Sequence, residues 1–418
     1  MPSSTRAPRV LIIVQNLPVP LDRRVWMECQ ALVAAGYGVS VICPRGERPE
    51  DRARFEVLEG VHIHRYAGAP QAEGALAYFY EFAYCWLLTF ALALRVYRRE
   101  GFDVIQACNP PDTFWALALL FRPFGVKFVF DQHDMCPEVY EARFERPSRV
   151  LLSALKALER RSYRTAQRVI VTNPFEREIA IERGGREPDD VVVVRSAPRA
   201  DRFVRTSPDS EVKRGRHYLC TYIGVMGPQD GVDVAIRAAD VIVHEMGRTD
   251  VHFAFMGFGD SFEELQQLTR ASDLTEYVEF TGRADDAMIT AYMSSADIGL
   301  VPDPPTAFND ISSMNKTVEY MAFGLPLVSF NLRETVATAG SAGVAVDTAD
   351  ARAFAEAIVA LLDDAARRAE MGRAGRLKLE RELSWEHQAD TYVRVYDQLF
   401  NRARLSAVGG EASVQAAS

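Results

Sequence analysis

The chain has 418 residues, 48% of them hydrophobic, which is too long for one ordinary core and long enough for two domains with substantial cores. Its formal net charge of −9 argues against nucleic acid as a partner, because binding of the phosphate backbone usually requires an excess of lysine and arginine. The six cysteines lie far apart with no CxxC pair, which argues against a zinc site and favours buried thiols in a reduced compartment.

Neither the start of the chain nor its most apolar stretch has the pattern of a targeting or membrane-spanning segment. Residues 1–8 are polar and lead directly into a strand-like run, which leaves no room for the apolar region of a signal peptide. The most apolar stretch, residues 82–94, is shorter than the ~20 residues that a membrane-spanning helix needs. We therefore expect a cytoplasmic protein, with the inner face of the cell membrane as a second site of action.

Short apolar runs alternate with helical patterns along the first half of the chain. The first helical pattern places Val25, Cys29 and Leu32 at helical spacing and ends at Gly36. This alternation predicts an α/β domain over residues 1–198, with a mainly parallel sheet covered on both faces. The predicted strands are residues 10–14, 39–43, 61–65, 104–107, 127–131, 168–172 and 191–194.

One helical segment of this domain allows two interpretations. Residues 78–99 combine an aromatic-rich apolar body with Arg95, Arg98 and Arg99. A helix of this kind is suited to a membrane interface. It is equally suited to a buried crossover between two strands, and the sequence leaves both interpretations open.

The composition changes after residue 198. Residues 199–216 are polar and charged without periodicity, which predicts a linker between domains. Residues 217–384 resume the alternation and predict a second α/β domain, followed by a helical return segment at 385–405 and a disordered tail at 406–418. The predicted strands of the second domain are residues 218–224, 251–257, 278–282, 298–302, 325–329 and 343–346, with helices that include 232–245 and 351–362.

Six segments occur in a characteristic order. The first domain contains DRRV at 22–25 and DQHDMCPE at 131–138. The second contains YIGVMGPQDGVD at 222–233, MGFG at 256–259, FTG at 280–282 and KTVEYMAFGLPLV at 316–328. Together they resemble glycosyltransferase family 4, and the two first-domain segments resemble its branch that builds bacterial capsular polysaccharides and exopolysaccharides.

The resemblance implies a GT-B fold, in which two Rossmann-like domains with parallel sheets face each other across a cleft. It also implies that the nucleotide-sugar binds mainly to the second domain and the acceptor mainly to the first. The family transfers sugars with retention of anomeric configuration and without an essential metal. We therefore expect neither a metal nor another cofactor.

Lys316 and Glu319 lie three residues apart at the start of a predicted helix, so their side chains project from one face. A lysine at a helix N-terminus would stabilise negative charge that develops on a departing diphosphate. The resemblance gives Glu319 the role of accepting hydrogen bonds from ribose hydroxyls. The alternative is an ordinary capped helix with a Lys–Glu pair on its surface.

Several glycines end strands of the second domain, where backbone can approach phosphate closely. Each of them could also serve only as a turn residue. Arg283 follows at a turn where the family often binds the nucleotide base. The alternative is that Arg283 is only a solvated charge on the surface. The candidate donor-binding residues are thus Gly224, Gly227, Gly257, Gly259, Gly282, Arg283, Lys316 and Glu319.

His133 follows a predicted strand at the carboxyl edge of the first sheet, where α/β domains bind ligands. The resemblance makes His133 a candidate catalytic residue near the bond that breaks, although a histidine satisfied by local hydrogen bonds would fit the same pattern. Asp134 and Glu138, in the same loop, are candidates on the acceptor side. Asp22 and Arg23 of the DRRV segment are assigned to the acceptor side as well.

The chain departs from the family pattern at three positions. Val225 and Asp230 occupy positions where the family has an arginine and a lysine on the diphosphate. Ile311 occupies the position of the first of two glutamates, of which only Glu319 remains. Asp310, next to it, is therefore a third catalytic candidate, together with His133 and Lys316.

These observations predict transfer of a hexose or related sugar from a nucleoside diphosphate, with UDP as the expected nucleotide. The expected acceptor is a hydroxyl of a glycan or polyprenyl-linked glycan in cell-surface polysaccharide biosynthesis. The enzymatic alternatives are a nucleotide-sugar 2-epimerase and a phosphorylase of the same fold. The departures at Val225, Asp230 and Ile311 also keep open a non-catalytic partner subunit.

Overall fold

The computed structural model describes residues 6–46, 49–68, 75–144 and 146–402. Within these residues, the chain forms two separate β-sheets, one from each half. Most strands are short and apolar with no polar face, as expected for parallel strands that are covered by helices on both sides.

The first sheet has eight strands in the described residues. They are β1 (Arg9–Ile13), β2 (Gly38–Pro44), β3 (Phe55–Leu58), β4 (Val61–Tyr66), β5 (Val104–Cys108), β6 (Lys127–Asp131), β7 (Arg168–Val171) and β8 (Val191–Val193). Their order is β3-β4-β2-β1-β5-β6-β7-β8, and every pair is parallel except β3 with β4. Strand β3 was not predicted from the sequence, because it is only four residues long and exposes Phe55 and Val57 at the edge of the sheet.

Helices cover this sheet on both faces. They are α1 (Arg23–Ala34), α2 (Ala75–Arg99), α3 (Trp115–Phe121), α4 (Cys136–Arg143), α5 (Arg149–Thr165) and α6 (Pro174–Gly184). Helix α1 begins where the Asp22 carboxylate accepts a hydrogen bond from the Val25 amide at 3.1 Å, which caps the free amides of its first turn.

Helix α2 has one buried and one exposed side. Cys85, Ala93 and Val96 pack into the core of the first domain, whereas Leu87 on the opposite side is 60% exposed. Arg95 is exposed as well. Across the described residues, we find no helix whose length and apolar character would let it cross a bilayer.

The second sheet has six strands in the described part of the chain. They are β9 (Tyr218–Ile223), β10 (Val251–Met256), β11 (Val278–Gly282), β12 (Ile298–Val301), β13 (Leu327–Phe330) and β14 (Gly343–Val346). Their order is β11-β10-β9-β12-β13-β14 and all pairs are parallel. Strand β13 begins two residues later than expected, because Gly324 turns the chain at a φ of 61° just before it.

The helices of this half are α7 (Val232–Asp240), α8 (Phe262–Ala271), α9 (Asp286–Ser295), α10 (Asn315–Ala322), α11 (Arg333–Ala339), α12 (Ala351–Leu362) and α13 (Ala365–Lys378). Helix α7 continues into a π-helical turn at Val241–Glu245, so the predicted helix over 232–245 corresponds to one continuous segment. Two domains with parallel sheets were predicted, and the structure confirms that architecture.

The last helix, α14 (Trp385–Phe400), packs against the first domain and not the second. Tyr392 and Tyr396 are fully buried in the first core, and both hydroxyls donate hydrogen bonds to the Oε1 atom of Gln106 on β5. The Tyr37 hydroxyl donates to the Asp397 carboxylate at 2.7 Å. Helix α14 is therefore a structural part of the first domain.

Candidate functional site

A cleft of about 610 Å³ lies between the two sheets, and both domains contribute to its lining. The first domain contributes segments that follow β1, β6, β7 and β8, and the second contributes those that follow β9, β10, β11 and β12. All of these segments leave the carboxyl ends of parallel strands. This is the edge at which open α/β sheets bind their ligands.

The cleft brings together part of the predicted set. From the first domain, Arg23, His133 and Asp134 line it. From the second domain, the lining includes Gly224, Gly257, Arg283, Lys316 and Glu319. The remaining candidates, Asp22, Glu138, Gly227, Gly259, Gly282 and Asp310, are not among the lining residues.

His133 is held from two sides. Its backbone amide donates to the Asn109 side-chain oxygen at 2.6 Å, and its Nε2 atom lies 2.9 Å from the Asp131 carboxylate. The Nε atom of Arg24, which can only donate, lies 3.2 Å from the same Nε2 atom, so its two neighbours compete for it. We assign the proton to Nε2 on the side of Asp131, the nearer neighbour, because a carboxylate can only accept a hydrogen bond. Only 17% of the side chain is exposed, on the side that faces the cleft.

Opposing effects set the charge of this pair. Burial by itself would lower the pKa of His133, but the Asp131 carboxylate outweighs burial and raises the pKa to about 9. Burial alone would raise the pKa of Asp131, but Arg24 and His133 outweigh burial and hold that pKa below its ordinary value. The imidazole is therefore a cation at neutral pH, and the carboxylate is an anion.

Arg24 lies at the centre of this buried cluster. Its guanidinium pairs with Asp131 and with Glu28, both at 3.1 Å, and donates to the Val194 carbonyl at 2.9 Å. The residue predicted for the acceptor side is its neighbour Arg23, which forms an exposed ion pair with Asp286 at 2.9 Å. Successive residues of a helix point about 100° apart, so α1 turns Arg24 inward and Arg23 toward the cleft.

Glu28, Cys108, Asp131 and His133 have ligand atoms within 4.8 Å of one another, a spacing that would suit a metal ion. The Arg24 guanidinium, however, already contacts Glu28 and Asp131 and supplies the positive charge. We therefore interpret the group as an ion network. The expectation that the chemistry needs no metal stays a prediction.

This network extends to the last helix. The Gln106 side-chain amide donates to Glu28 and to Asp131, both at 2.8 Å. Its carbonyl oxygen accepts from Tyr392 and Tyr396 of α14. The orientation of His133 is thus fixed through Asp131 by groups from three distant parts of the chain.

Two glycine-containing loops, after β9 and β10, form part of the second-domain side of the cleft. Gly224 and Gly257 have φ angles of 153° and 148°, and a Cβ atom on Gly257 would lie 1.8 Å from the Gly224 carbonyl oxygen. Only glycine allows these two loops to lie in backbone contact. Gly259 also packs against backbone, that of Met226, and Gly282 accepts the Gly257 amide at 2.9 Å.

Lys316 lies in the first turn of α10, as predicted, but its ammonium group is already paired. Its Nζ atom contacts both carboxylate oxygens of Asp303, at 2.7 and 2.8 Å, and lies 5.1 Å from the centroid of the Tyr222 ring. Asp303 is 1% exposed. Asp303 was not predicted, although its position two residues after β12, at the edge where ligands bind, would have been a signal.

Glu319, one turn further along α10, lies at the cleft. Burial raises the pKa of its carboxyl group, and the positive charges of Arg23, Arg202 and Lys316 partly offset that effect. No hydrogen bond joins this carboxylate to any residue that the structure describes. It is therefore available to accept hydrogen bonds from a ligand.

Asp310 lies outside the cleft lining because it serves a neighbouring helix. Its carboxylate accepts the Arg333 amide at 2.9 Å and the Arg333 guanidinium at 2.5 Å, which caps the start of α11. Ile311, which stands where the family has its first glutamate, is only 6% exposed, and its carbonyl accepts the Asn173 amide of the first domain at 2.8 Å. Glu138 likewise forms an ion pair with Arg183.

Arg283 stacks over the Phe258 ring, with its guanidinium carbon 4.3 Å from the ring centroid. Gly227 supports its own turn, since its amide donates to the Asp230 carboxylate at 2.8 Å.

Direct contacts also join the domains beside the cleft, including a 3.1 Å hydrogen bond between Thr172 and Ser313. These contacts link residues 141 positions apart, which no local sequence pattern indicates.

Two family models match the chain, one in each domain. The model described as a glycosyl transferase 4-like domain matches residues 21–197. The model described as glycosyl transferases group 1 matches residues 217–364. The matched ranges therefore include every described strand except β1, and all of the residues that line the cleft.

Relatives agree with these matches. The chain is 32% identical over 173 residues to a GDP-mannose-dependent monoacylated alpha-(1-6)-phosphatidylinositol monomannoside mannosyltransferase of Corynebacterium glutamicum, an alignment that spans 40% of this chain and 44% of the relative. The chain thus spans less than half the length of that relative.

Solved structures show the same fold. Sucrose-phosphate synthase from Thermosynechococcus elongatus superposes with a TM-score of 0.75 at 18% identity, covering 95% of this chain and 100% of that structure. Anabaena HepE in complex with UDP and glucose superposes with a TM-score of 0.68 at 16% identity, covering 94% and 100%. At these identities the likeness establishes the fold alone.

Proposed function

Because the chain is a glycosyltransferase of the GT-B type, with domains like those of family 4, we propose that it transfers a sugar from a UDP-linked donor to a glycan hydroxyl, with retention of anomeric configuration. One observation carries this proposal. Glu319, with no hydrogen-bond partner among the described residues, lies in one cleft with the Gly224 and Gly257 loops, the N-terminal turn of α10 and His133 of the facing domain.

Each part of that arrangement suits a part of the donor. The Glu319 carboxylate accepts hydrogen bonds from neighbouring ribose hydroxyls. The glycine loops and the free amides of the first turn of α10 allow close approach of the diphosphate. UDP is supported by its presence in the HepE complex, whereas the C. glutamicum relative is named for GDP-mannose, so GDP is the competing nucleotide.

In the proposed reaction, the bond between the anomeric carbon and the diphosphate oxygen breaks, and its electron pair stays on the diphosphate. The acceptor oxygen bonds the anomeric carbon on the same face and passes its proton to the departing phosphate oxygen. Cations of the cleft stabilise the negative charge that develops on the leaving group. His133, held as a cation by Asp131, donates a hydrogen bond near the reacting centre.

The acceptor side is the first-domain wall, where Arg23 and Asp134 line the cleft. We propose a glycan or polyprenyl-linked glycan of cell-surface polysaccharide biosynthesis as the acceptor, used at the cytoplasmic face of the membrane. The exposed side of α2, with Leu87 and Arg95, supports contact with that surface.

A nucleotide-sugar panel tests the proposed donor. UDP-glucose, UDP-N-acetylglucosamine and GDP-mannose are each added to the whole chain, and the melting temperature and the release of nucleoside diphosphate are measured. A true donor binds only the folded state and stabilises it by mass action. At a hundredfold excess over Kd the free energy of unfolding rises by about 2.7 kcal/mol, and the melting temperature rises with it. Stabilisation by GDP-mannose alone would replace UDP by GDP, and no response to any donor would overturn the proposal.

The same assay separates the alternatives. A glycan product without an epimer formed from donor alone excludes the 2-epimerase. Turnover that requires inorganic phosphate in place of a nucleotide-sugar would indicate a phosphorylase. Donor-dependent release of nucleoside diphosphate argues against a non-catalytic partner subunit.

Vesicle binding tests the proposed membrane contact. The unmodified chain is expected to bind vesicles that contain anionic lipid, and changing Arg95, Arg98 and Arg99 to Gln should weaken binding by about 1 kcal/mol per basic residue. If the unmodified chain does not bind these vesicles, α2 acts as a crossover helix alone.

A further inference from the structure

We propose that Arg143 of the first domain binds the diphosphate of the donor from across the cleft, in place of cations that the second domain lacks. This inference rests on the proposed function. It names a residue of the donor site that the sequence motifs did not indicate, because Arg143 lies outside all of them.

The second-domain wall is short of positive charge where the diphosphate would lie. Val225 is apolar and Asp230 is acidic, and both line the cleft beside Lys316. The Lys316 ammonium group contacts both oxygens of the buried Asp303 carboxylate. The Lys316 ammonium is therefore neutralised by Asp303, with Asp230 as a second negative charge on the same wall, and a dianionic diphosphate needs a further cation at this place.

Asp230 is also fixed in position. The Gly227 amide donates to its carboxylate at 2.8 Å, within the short turn Pro228–Asp230. Burial raises the pKa of Asp230, while Lys316 and Arg143 act in the opposite direction. The Arg143 guanidinium is thus close enough for its charge to reach the position where the family has a lysine.

The position of Arg143 follows from the fold. It is the last residue of α4, which begins directly after the His133 loop and packs against the turn Pro228–Asp230 of the other domain. The side chain is exposed and lines the cleft. Among the residues that the structure describes, no ion pair or hydrogen bond occupies its guanidinium.

The other arginines of the cleft are committed elsewhere. Arg23 forms its ion pair with Asp286, and Arg283 stacks over the Phe258 ring. A guanidinium without a partner can bind two phosphate oxygens at once, in a fork that an ammonium does not offer. Because Arg143 and Lys316 belong to opposite domains, a diphosphate bound by both would also hold the cleft closed.

The test compares Arg143→Gln with Arg146→Gln, an exposed arginine three residues further on that does not line the cleft. Calorimetry measures the Kd of UDP, GDP and uridine for the whole chain. Loss of a bidentate charged contact should raise the Kd of the bound nucleoside diphosphate about tenfold or more, and leave the Kd of uridine unchanged. Arg146→Gln should leave both unchanged.

A second variant tests the reason for the effect. Asp230→Lys, made in the Arg143→Gln background, returns a cation to the second domain and should recover most of the lost affinity. This recovery would not occur if Arg143→Gln acted by disturbing α4. Circular dichroism on every variant confirms that it is folded.

The outcomes separate the two proposals. If the unmodified chain binds neither UDP nor GDP, the proposed function fails. If it binds one of them and Arg143→Gln binds it equally well, the function stands and the assignment of Arg143 is overturned. A loss of affinity in Arg283→Gln that Arg143→Gln does not share would overturn it too.

Discussion

The two walls of the cleft hold their polar groups in different ways. On the first-domain wall, Arg24, Asp131 and His133 are bound to one another and almost completely buried. On the second-domain wall, the Glu319 carboxylate has no hydrogen-bond partner in the described residues, and glycine loops expose backbone. The His133 network of the first wall is ordered before any ligand arrives, whereas Glu319 of the second wall stays unsatisfied until a ligand binds it. Changes within the His133 network should therefore affect stability, and a change of Glu319 should affect kinetics.

The largest effect is expected from Asp131→Ala. This change removes the shared partner of Arg24 and His133 and leaves the two buried cations with Glu28 as their remaining carboxylate, which costs about 3–5 kcal/mol. Urea unfolding followed by circular dichroism measures the loss. The control is Asp286→Ala, which breaks exposed ion pairs and should cost about 1 kcal/mol or less. An equal loss in both variants would contradict the distinction between the walls.

The pH dependence of stability is expected to come from the same wall. The pKa of His133 rises from about 6.5 in the unfolded chain to about 9 in the folded one, so the folded state binds its proton more tightly. This difference contributes at most about 3 kcal/mol to the free energy of unfolding. The contribution is complete below pH 6.5 and disappears as the pH rises through 9. His133→Gln should flatten this part of the curve of unfolding free energy against pH. A curve with unchanged slope would show that His133 is not held as a cation.

Glu319→Ala addresses the second wall. The carboxylate is proposed to bind ribose in the ground state and in the transition state alike. Its loss should weaken donor binding by about 1.5–3 kcal/mol, which appears as a raised donor KM with kcat nearly constant. Steady-state kinetics with varied donor measures both constants. Glu263→Ala, on exposed α8 of the same domain, is the matched control and should match the unmodified chain.

Lys316→Ala is expected to act on kcat, by about tenfold or more, because Lys316 is proposed to stabilise charge that develops on the diphosphate. The variant also leaves Asp303 buried without its partner, so it is best compared in an Asp303→Asn background. Lys316→Arg should restore activity only in part, because a planar guanidinium does not replace a compact ammonium. Normal kinetics in both the Lys316 and Glu319 alanine variants would show that α10 is not the donor site.

The sequence predicted the fold and the ligand-binding edge because both depend on local patterns. Apolar runs of strand length that alternate with helical periodicity indicate parallel sheets, and residues directly after such runs lie at their carboxyl ends. His133 was found in this way, whereas Lys316 and Glu319 were found from the start of a predicted helix and from the family resemblance. All three line the cleft. Their roles in binding and catalysis stay predictions.

Pairing between distant residues was beyond these patterns. Arg24 and Asp131 are 107 positions apart, and only the tertiary fold brings the start of α1 to the end of β6. The Lys316–Asp303 pair likewise depends on the path of the segment between β12 and α10. Asp310 was selected for its position next to Ile311, but the start of α11 nearby draws its carboxylate away from the cleft.

Helix α14 also bears on how the chain folds during synthesis. Its Trp385, Tyr392 and Tyr396 fill the core of the first domain, yet they are translated after the entire second domain. Helix α1 covers part of the same apolar face, but the part that α14 covers emerges from the ribosome exposed and stays so while nearly two hundred further residues are made. Exposed apolar surface of this kind promotes aggregation of folding intermediates. The domain that is made first thus matures last, and it is the one expected to need a chaperone.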